Sequence, residues 1–425
     1  MKTNAAFFIA LRYLWGRAKE TVRYLRGAAA GIAVSLVPII VTLIVADGMI
    51  RGILDRYLEA GSAHLQIFEM NNYFNDDNEN YINSVNTIKE IDGIRGVWKE
   101  QRGMGVIAAK NNKTGVTVRS LDSSFWDDPG SVGILKIIEG SHKPETDRDI
   151  VLGTALAENI GVKTGDTVRL MTVTTQESGR MTPRTAVFTV KGIISCGYNE
   201  LDALWCIINL EGGKRVLSNG TASSLLVKID DPYKNAEKIL FEIYDKLDAR
   251  YSVYTWKELL RSQYSSYETT RQLLLFIMAL IVIVAAVNVS SATSMLVLER
   301  QRDIAVLKVS GASVKGVAGI FLWGSFLTGL AGGIIGITLG LLIGVNINFL
   351  VRSLENILSF FTGLFNGQEV KILDPGFYLE TIPIIIDWKA VLLILFFAIL
   401  CSVTASLIPA LRAGKLKPME LLRKT

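Results

Sequence analysis

Four uncharged stretches constrain this chain more than any other feature. Gly27–Ala46, Gln272–Leu298, Gly316–Val351 and Ala390–Leu411 contain no Asp, Glu, Lys or Arg over 20, 27, 36 and 22 residues. A helix rises about 1.5 Å per residue, so about 20 residues cross a hydrocarbon core of about 30 Å. Each stretch is therefore long enough to span. More than 200 mostly polar residues separate the first from the second, whereas the last three crowd the C-terminus. The expected fold class is a membrane protein with four transmembrane α-helices (one plus three) and a large α+β extracytoplasmic domain.

Basic residues orient these spans. Lys2, Arg12, Arg17, Lys19, Arg23 and Arg26 precede the first, against the single acid Glu20. Arg300, Arg302, Lys308 and Lys315 lie between the second and third, and Arg412, Lys415, Lys417, Arg423 and Lys424 follow the fourth. The segment between spans three and four is acidic instead, with Glu355, Glu369, Asp374 and Glu380. Positive loops stay cytoplasmic. The expected order is a cytoplasmic amphipathic segment (1–26), span 1 (27–50), an exported domain (51–270), span 2 (271–298), a cytoplasmic segment (299–315), span 3 (316–351), an outer loop (352–387), span 4 (388–411) and a cytoplasmic tail (412–425). Both termini are cytoplasmic in this reading, in the inner membrane. Span 1 is expected to be a retained anchor, because its basic lead is long and no A-x-A-like site follows it.

The net charge of +5 sits at membrane flanks and implies no nucleic-acid partner. His64 and His142 are the two histidines. Neither has a ligand partner nearby in sequence, so no metal site is expected, and both are read as solvent or turn residues. Cys196 and Cys206 fall in the exported domain, either as a disulfide or as two free thiols in adjacent strands. Cys401 lies in span 4 as a packing residue.

The exported domain reads as α+β in two lobes. Strand patterns fall at 64–69, 97–109, 116–121, 150–153, 167–174, 187–195, 204–209 and 252–255, with helical spacing at 82–91, 154–160 and 235–247. Thr154 is placed to cap the second of these helices and Gly161 to end it. Residues 256–271 read as a helical stalk into span 2.

Two polar segments invite function. Gln176–Arg184 carries Gly179 and Pro183 and is either a solvated hairpin tip or a protruding loop that grips a soluble partner through Arg180 and Arg184. Glu299–Ser313 starts charged, has apolar Ile304, Ala305, Leu307 and Val309, and breaks at Gly311 before a cap at Ser313. It is either a plain cytoplasmic loop or a short surface helix with one face for a partner.

The same Glu299–Ser313 segment resembles the E-R-x-R-E-I-x-x-L-x-x-x-G-A-S signature of FtsX-like ABC permeases, with Asp303 in place of the glutamate. Pro409–Ala413 and Lys417–Arg423 resemble that family's P-A-x-R-A and P-x-E-x-L-R ending, and the one-plus-three topology is also the family's. Phe8–Arg17, Gly179–Arg184 with Phe188–Gly192, and Phe377–Pro383 resemble the LolC/LolE lipoprotein-release permeases within it. The resemblance implies a MacB-like periplasmic core domain and a coupling helix, carried by Glu299, Arg300, Arg302, Asp303, Ile304, Leu307, Gly311 and Ser313, that docks on an ABC ATPase subunit. It further implies a carrier-binding loop of Arg180, Met181, Pro183 and Arg184, a second permease (a paralogue or a second copy), a periplasmic lipoprotein carrier and lipoprotein substrates. The chain itself binds no cofactor in this reading and is not an enzyme. ATP and Mg belong to the partner, since no G-x-x-x-x-G-K-[ST] is present. A MacB-type efflux permease for drugs or peptides and an FtsX-like signalling permease are the alternatives.

A substrate held by acyl chains needs an apolar path out of the bilayer. Val45, Met49, Ile53 and Leu54 offer one at helical spacing, or else pack that face on span 2. Spans 1 and 3 are the candidate cavity walls. Pro38 is placed to kink the first. Gly329, Gly332, Gly333, Gly336 and Gly340 let the third pack closely or slide.

Overall fold

The computed structural model describes residues 8, 19–69, 79–110, 112–175, 181–217, 223–247, 250–363, 379 and 381–416. It divides into two units: residues 1–48, 267–370 and 382–425, and residues 49–266 with 371–381.

Seven helices concern the first unit: α1 (Lys19–Arg56), α2 (Arg261–Glu299), α3 (Gln301–Val309), α4 (Val314–Val345), α5 (Ile347–Gly363), α6 (Trp388–Ala405) and α7 (Leu407–Lys415). Among the described residues four helices are long and apolar enough to cross a membrane: Arg26–Ser62, Arg261–Glu299, Val314–Val345 and Trp388–Lys415. They share a core of Ile32, Leu36, Ile40, Val282, Ile337 and Ile394. The helix α1 runs unbroken through Pro38.

Glycine decides how closely α4 approaches α1. A Cβ on Gly332 would lie 2.5 Å from the Ala29 carbonyl oxygen, on Gly336 2.8 Å from that of Ala33, and on Gly340 2.7 Å from Ile40 Cβ. Gly329 and Gly333 meet Ser402 and Leu395 of α6 instead. These small residues seal α4 against α1 and α6, so the stripe is intramolecular packing.

The third expected span overruns the structure. Asn346 takes φ −97° and ψ 14° and its amide donates to the Leu342 carbonyl at 2.8 Å. The chain then starts α5 at Ile347, inside the expected span, and carries it to Gly363, into the expected outer loop. An uncharged run alone does not distinguish one helix from two.

The second unit is built on ten strands: β1 (Leu65–Glu69), β2 (Ile94–Ala109), β3 (Asn112–Leu121), β4 (Lys136–Gly140), β5 (Asp149–Gly153), β6 (Thr167–Thr175), β7 (Met181–Ser195), β8 (Trp205–Ile208), β9 (Ser223–Ile229) and β10 (Tyr251–Thr255). They run β10-β1-β9-β2-β3-β8-β5-β7-β4, and β6 joins β2 to β7. The pairings β2–β3–β8–β5–β7–β6 therefore return to β2, closing six strands around Ile107, Val118, Leu152, Leu170, Phe188 and Ile208. The β3–β8 and β5–β7 pairs are parallel. The two lobes expected from the sequence share β2. Its first half pairs with β9 and its second half, Gly105–Ala108, with β6.

Several local expectations are corrected. Gly153, not Thr154, is the N-cap of the 154–160 helix, and Thr154 Oγ1 donates to the Ile194 carbonyl at 3.0 Å. Gly161 does end that helix, at φ +70°. Cys196 and Cys206 are free and buried. They are not in adjacent strands, because β5 pairs with both β7 and β8. Burial pushes both thiols far above the ordinary range.

Candidate functional site

Where α1 ends, the backbone widens into a π-helical turn, Tyr57–Ser62, and the last carbonyls of a helix have no following turn to supply donors. Two arginines from the sheet and one serine supply them. Arg119, on β3 and fully buried, donates to the Ala60 carbonyl and to Glu100. Arg102 donates to the Gly61 carbonyl at 2.8 Å, and Ser131 Oγ to that of Glu59 at 3.0 Å. Ala63 then turns the chain into β1 at φ +59°, a region that non-glycine residues seldom adopt.

A second set of charges surrounds this turn. Glu59 takes Arg95 Nη2 at 2.8 Å and lies 3.2 Å from Lys228 Nζ. Lys228 is completely buried on β9, with Asp128 Oδ2 at 2.8 Å, Ser131 Oγ at 2.6 Å and the Phe125 ring beneath it. His64 is also completely buried, which corrects its reading as a solvent or turn residue. Its Nδ1 accepts the Ile229 N–H at 2.8 Å, so its proton is on Nε2, which donates to Glu59 Oε1 at 3.2 Å. Burial pulls the His64 imidazole below its ordinary range, and the Glu59 contact only partly opposes this. The arrangement anchors the end of α1 through paired charges whose partners lie far apart in sequence, which is why spacing did not reveal it.

The segment 299–313 forms a short helix between two longer ones. Glu299 closes α2, and Arg300 breaks the helix and pairs with Asp303 at 3.1 Å. Ile304 and Ala305 are buried, the former among Leu296, Phe321, Ala410 and Ala413. Leu307 is half-buried against Ile320. Lys308 Nζ donates to the Gly414 and Leu416 carbonyls at 2.7 and 2.6 Å, closing the end of α7. Gly311 takes φ +90°, and Ser313 Oγ accepts the Gly316 N–H at 3.1 Å to cap α4. What α3 leaves outward is Arg302, Val306 and Val309, the two valines 62% and 70% exposed. Val306 had not been singled out from the sequence. On a helix whose Ile304 and Ala305 are buried, Val306 and Val309 share another face three residues apart.

The 176–184 loop is narrower than expected. Thr172 pairs with Arg184, Val173 with Pro183 and Thr175 with Met181, so Met181, Pro183 and Arg184 belong to the β6–β7 ladder. Arg180 lies outside the described residues. Arg184 Nη1 donates to the Leu217 carbonyl at 2.9 Å, so its guanidinium also serves the Leu210–Val216 helix end. Proline is tolerated here because the ladder needs no N–H from it at an edge position.

The expected apolar path is also redrawn. Val45 and Met49 are half-buried, but Leu54 is 3% exposed and Ile53 packs on the cluster around Trp126 and Leu379. Ile53 and Leu54 thus face protein, because the apolar spacing that suits a lipid suits a core equally.

A long apolar helix, a mixed-sheet domain and three further apolar helices define a multi-pass membrane protein with one large sheet domain. Residues 27–240 match the MacB-like periplasmic core domain and residues 275–418 the FtsX-like permease C-terminal domain. The chain belongs to this family of FtsX-like ABC transporter permeases. It is 26% identical to the lipoprotein-releasing system transmembrane protein LolE of Haemophilus influenzae, over 99% of both chains. It is 28% identical to LolC of Xylella fastidiosa and to LolC of Neisseria meningitidis serogroup B, over 98% of each chain in both cases. The periplasmic region of MacB from Actinobacillus actinomycetemcomitans superposes with a TM-score of 0.30 at 18% identity, covering 49% of this chain and 96% of that one.

Proposed function

We propose that this chain is the permease subunit of an ABC transporter that extracts lipoproteins from the inner membrane and hands them to a periplasmic carrier, driven by a separate ATPase. The observation that carries this reading is similarity to lipoprotein-releasing permeases across both units, over 99% of this chain and of LolE and 98% of this chain and of LolC. In this reading the termini are cytoplasmic, α3 lies on the same side, and its exposed Val306, Val309 and Arg302 form the ridge offered to the ATPase. Two permeases, of the same or related sequence, flank the substrate. The β6–β7 hairpin receives the carrier.

The physics of the cargo demands such a machine. Each buried acyl CH₂ contributes about 0.8 kcal/mol, so a lipoprotein with two or three chains does not leave the bilayer unaided. The test is depletion of the chain in its own cell, with fractionation of inner and outer membranes. Outer-membrane lipoproteins accumulating in the inner membrane support the reading. Normal sorting with a loss of drug or peptide export replaces it with efflux.

A further inference from the structure

We propose that α5 lies flat on the outer surface of the bilayer, with its apolar face among lipid acyl chains and its polar face toward the protein and the headgroups. The chain leaves little choice of height. A single residue, Asn346, separates α5 from the end of α4, a helix apolar enough to cross a membrane. The 32 residues of α4, about 48 Å of helix, already exceed a hydrocarbon core of about 30 Å, so the 17 residues of α5, about 25 Å of helix, run from the level at which α4 leaves the hydrocarbon.

The side chains sort accordingly. Leu350, Leu354 and Ile357 are 41%, 50% and 53% exposed and fall on one side of the helix, with Phe349, 70% exposed, at its margin. Asn348, Arg352 and Asn356 fall on the other. That other side is fixed by the protein itself. Asn348 donates to the Ile382 carbonyl at 2.9 Å and accepts the Ile382 N–H at 3.0 Å, so α5 cannot roll without breaking both bonds. The apolar face is continuous with one that the membrane already covers, since Leu339, Leu342 and Val345 near the end of α4 are 46%, 58% and 44% exposed. Arg352, at the polar edge, suits a lipid phosphate, with its aliphatic stem along the apolar boundary. A helix with one wide apolar face and a polar one, joined directly to a span, is built for the interface.

The inference rests on the membrane reading of α4, and the test separates the two. Nitroxides are attached through Leu339→Cys, Leu354→Cys, Asn356→Cys and Ile357→Cys, introduced singly in the full chain. The protein is reconstituted in phosphatidylcholine–phosphatidylglycerol vesicles, with the unsubstituted chain as the blank. Collision rates with oxygen, which concentrates in lipid, are compared with those for a water-soluble nickel chelate. The oxygen-to-nickel ratio should be on the order of five-fold higher at positions 354 and 357 than at 356, with position 339 deep in lipid. Equal ratios at 354, 356 and 357, with 339 still in lipid, overturn the proposal alone. Low collision with both reagents at 354 and 357 also overturns it, because protein, such as a second copy, then covers the face. A water-exposed label at 339 overturns the membrane placement of α4 and this inference with it.

Discussion

Arg271, three turns into α2 and just ahead of its uncharged stretch, donates from Nη2 to Asp387 Oδ2 at 2.9 Å, while its Nε lies 2.9 Å from Asp47 Oδ1 on α1. Asp387 at the same time caps α6 through the Lys389 and Ala390 amides. One guanidinium therefore ties three helices immediately beyond their uncharged stretches. The backbone closes on the same place: Gly48 has no room for a Cβ because the Pro383 carbonyl occupies it. Residues 382–387 are thus strapped to α1 at Gly48, to α2 at Arg271 and to α5 at Asn348.

A tie of this kind predicts coupling. The Arg271 side chain is 40% exposed and Asp387 35%, so solvent screens much of the interaction, and the pair is worth about 0.5–1 kcal/mol. In a double-mutant cycle, Arg271→Ala and Asp387→Ala should be less damaging together than the sum of each alone, by about that amount. Thermal unfolding of the full chain in detergent reads it. Strict additivity would mean that the two residues act independently.

The glycine stripe of α4 gives a contrast within one helix. Gly336→Val places a branched side chain against the Ala33 backbone and Leu36, and overpacking of this sort costs about 1–3 kcal/mol. A Cβ at Gly324 meets nothing within 4 Å. Gly324→Ala should therefore be neutral or stabilise by up to about 1 kcal/mol, through a less flexible unfolded chain. Melting temperatures of the two variants should move in opposite directions, or at least only the first should fall.

The neutral His64 makes the second unit sensitive to mild acid. Its folded pKa lies below the unfolded value of 6.5, so the stability it supports is complete above that value and declines as pH falls beneath it. A second proton would have to displace the Ile229 N–H from Nδ1 and sit near Arg95 and Lys228, with only Glu59 in favour. The decline approaches at most about 1.4 kcal/mol per pH unit. Unfolding between pH 7.5 and 5.5 should show this slope in the parent and in His142→Asn. In His64→Gln the slope should flatten, on a lower baseline because a buried network has lost a member.

The elements that alternate or repeat on their own were legible in the sequence; those that depend on a distant partner were not. The four apolar helices and eight of the ten described strands follow from local patterns; β4 and β9 do not. β9 reads Ser-Ser-Leu-Leu-Val-Lys-Ile, with every position buried, so no alternation marks it, and its lysine argues for a surface until Asp128 and Glu59 are brought to it. The charges at Glu59, Arg119 and Lys228 look like ordinary surface residues in sequence. Their partners lie tens to more than a hundred residues away, and only the closed sheet brings them together. The same limit explains Ile53 and Leu54, whose apolar spacing is silent about whether lipid or protein lies opposite.

The ridge on α3 separates seat from surface, which permits a sharper test than the sequence alone suggested. Leu307 faces Ile320 and Ile304 fills the cluster with Phe321, so replacing either with Asp buries a charge and unseats the helix. Leu307→Asp should cost about 1–3 kcal/mol of stability whether or not an ATPase binds. Val306 and Val309 are exposed, so Val306→Asp with Val309→Asp should leave the permease's melting temperature near that of the parent. If this ridge meets the ATPase, the same double variant places two charges in an apolar contact and should weaken co-purification about tenfold, equivalent to about 1.4 kcal/mol. Stimulated ATP hydrolysis should fall with it. A double variant that binds and stimulates normally would leave Val306 and Val309 as ordinary exposed residues and move the contact to another cytoplasmic surface, with the permease assignment intact.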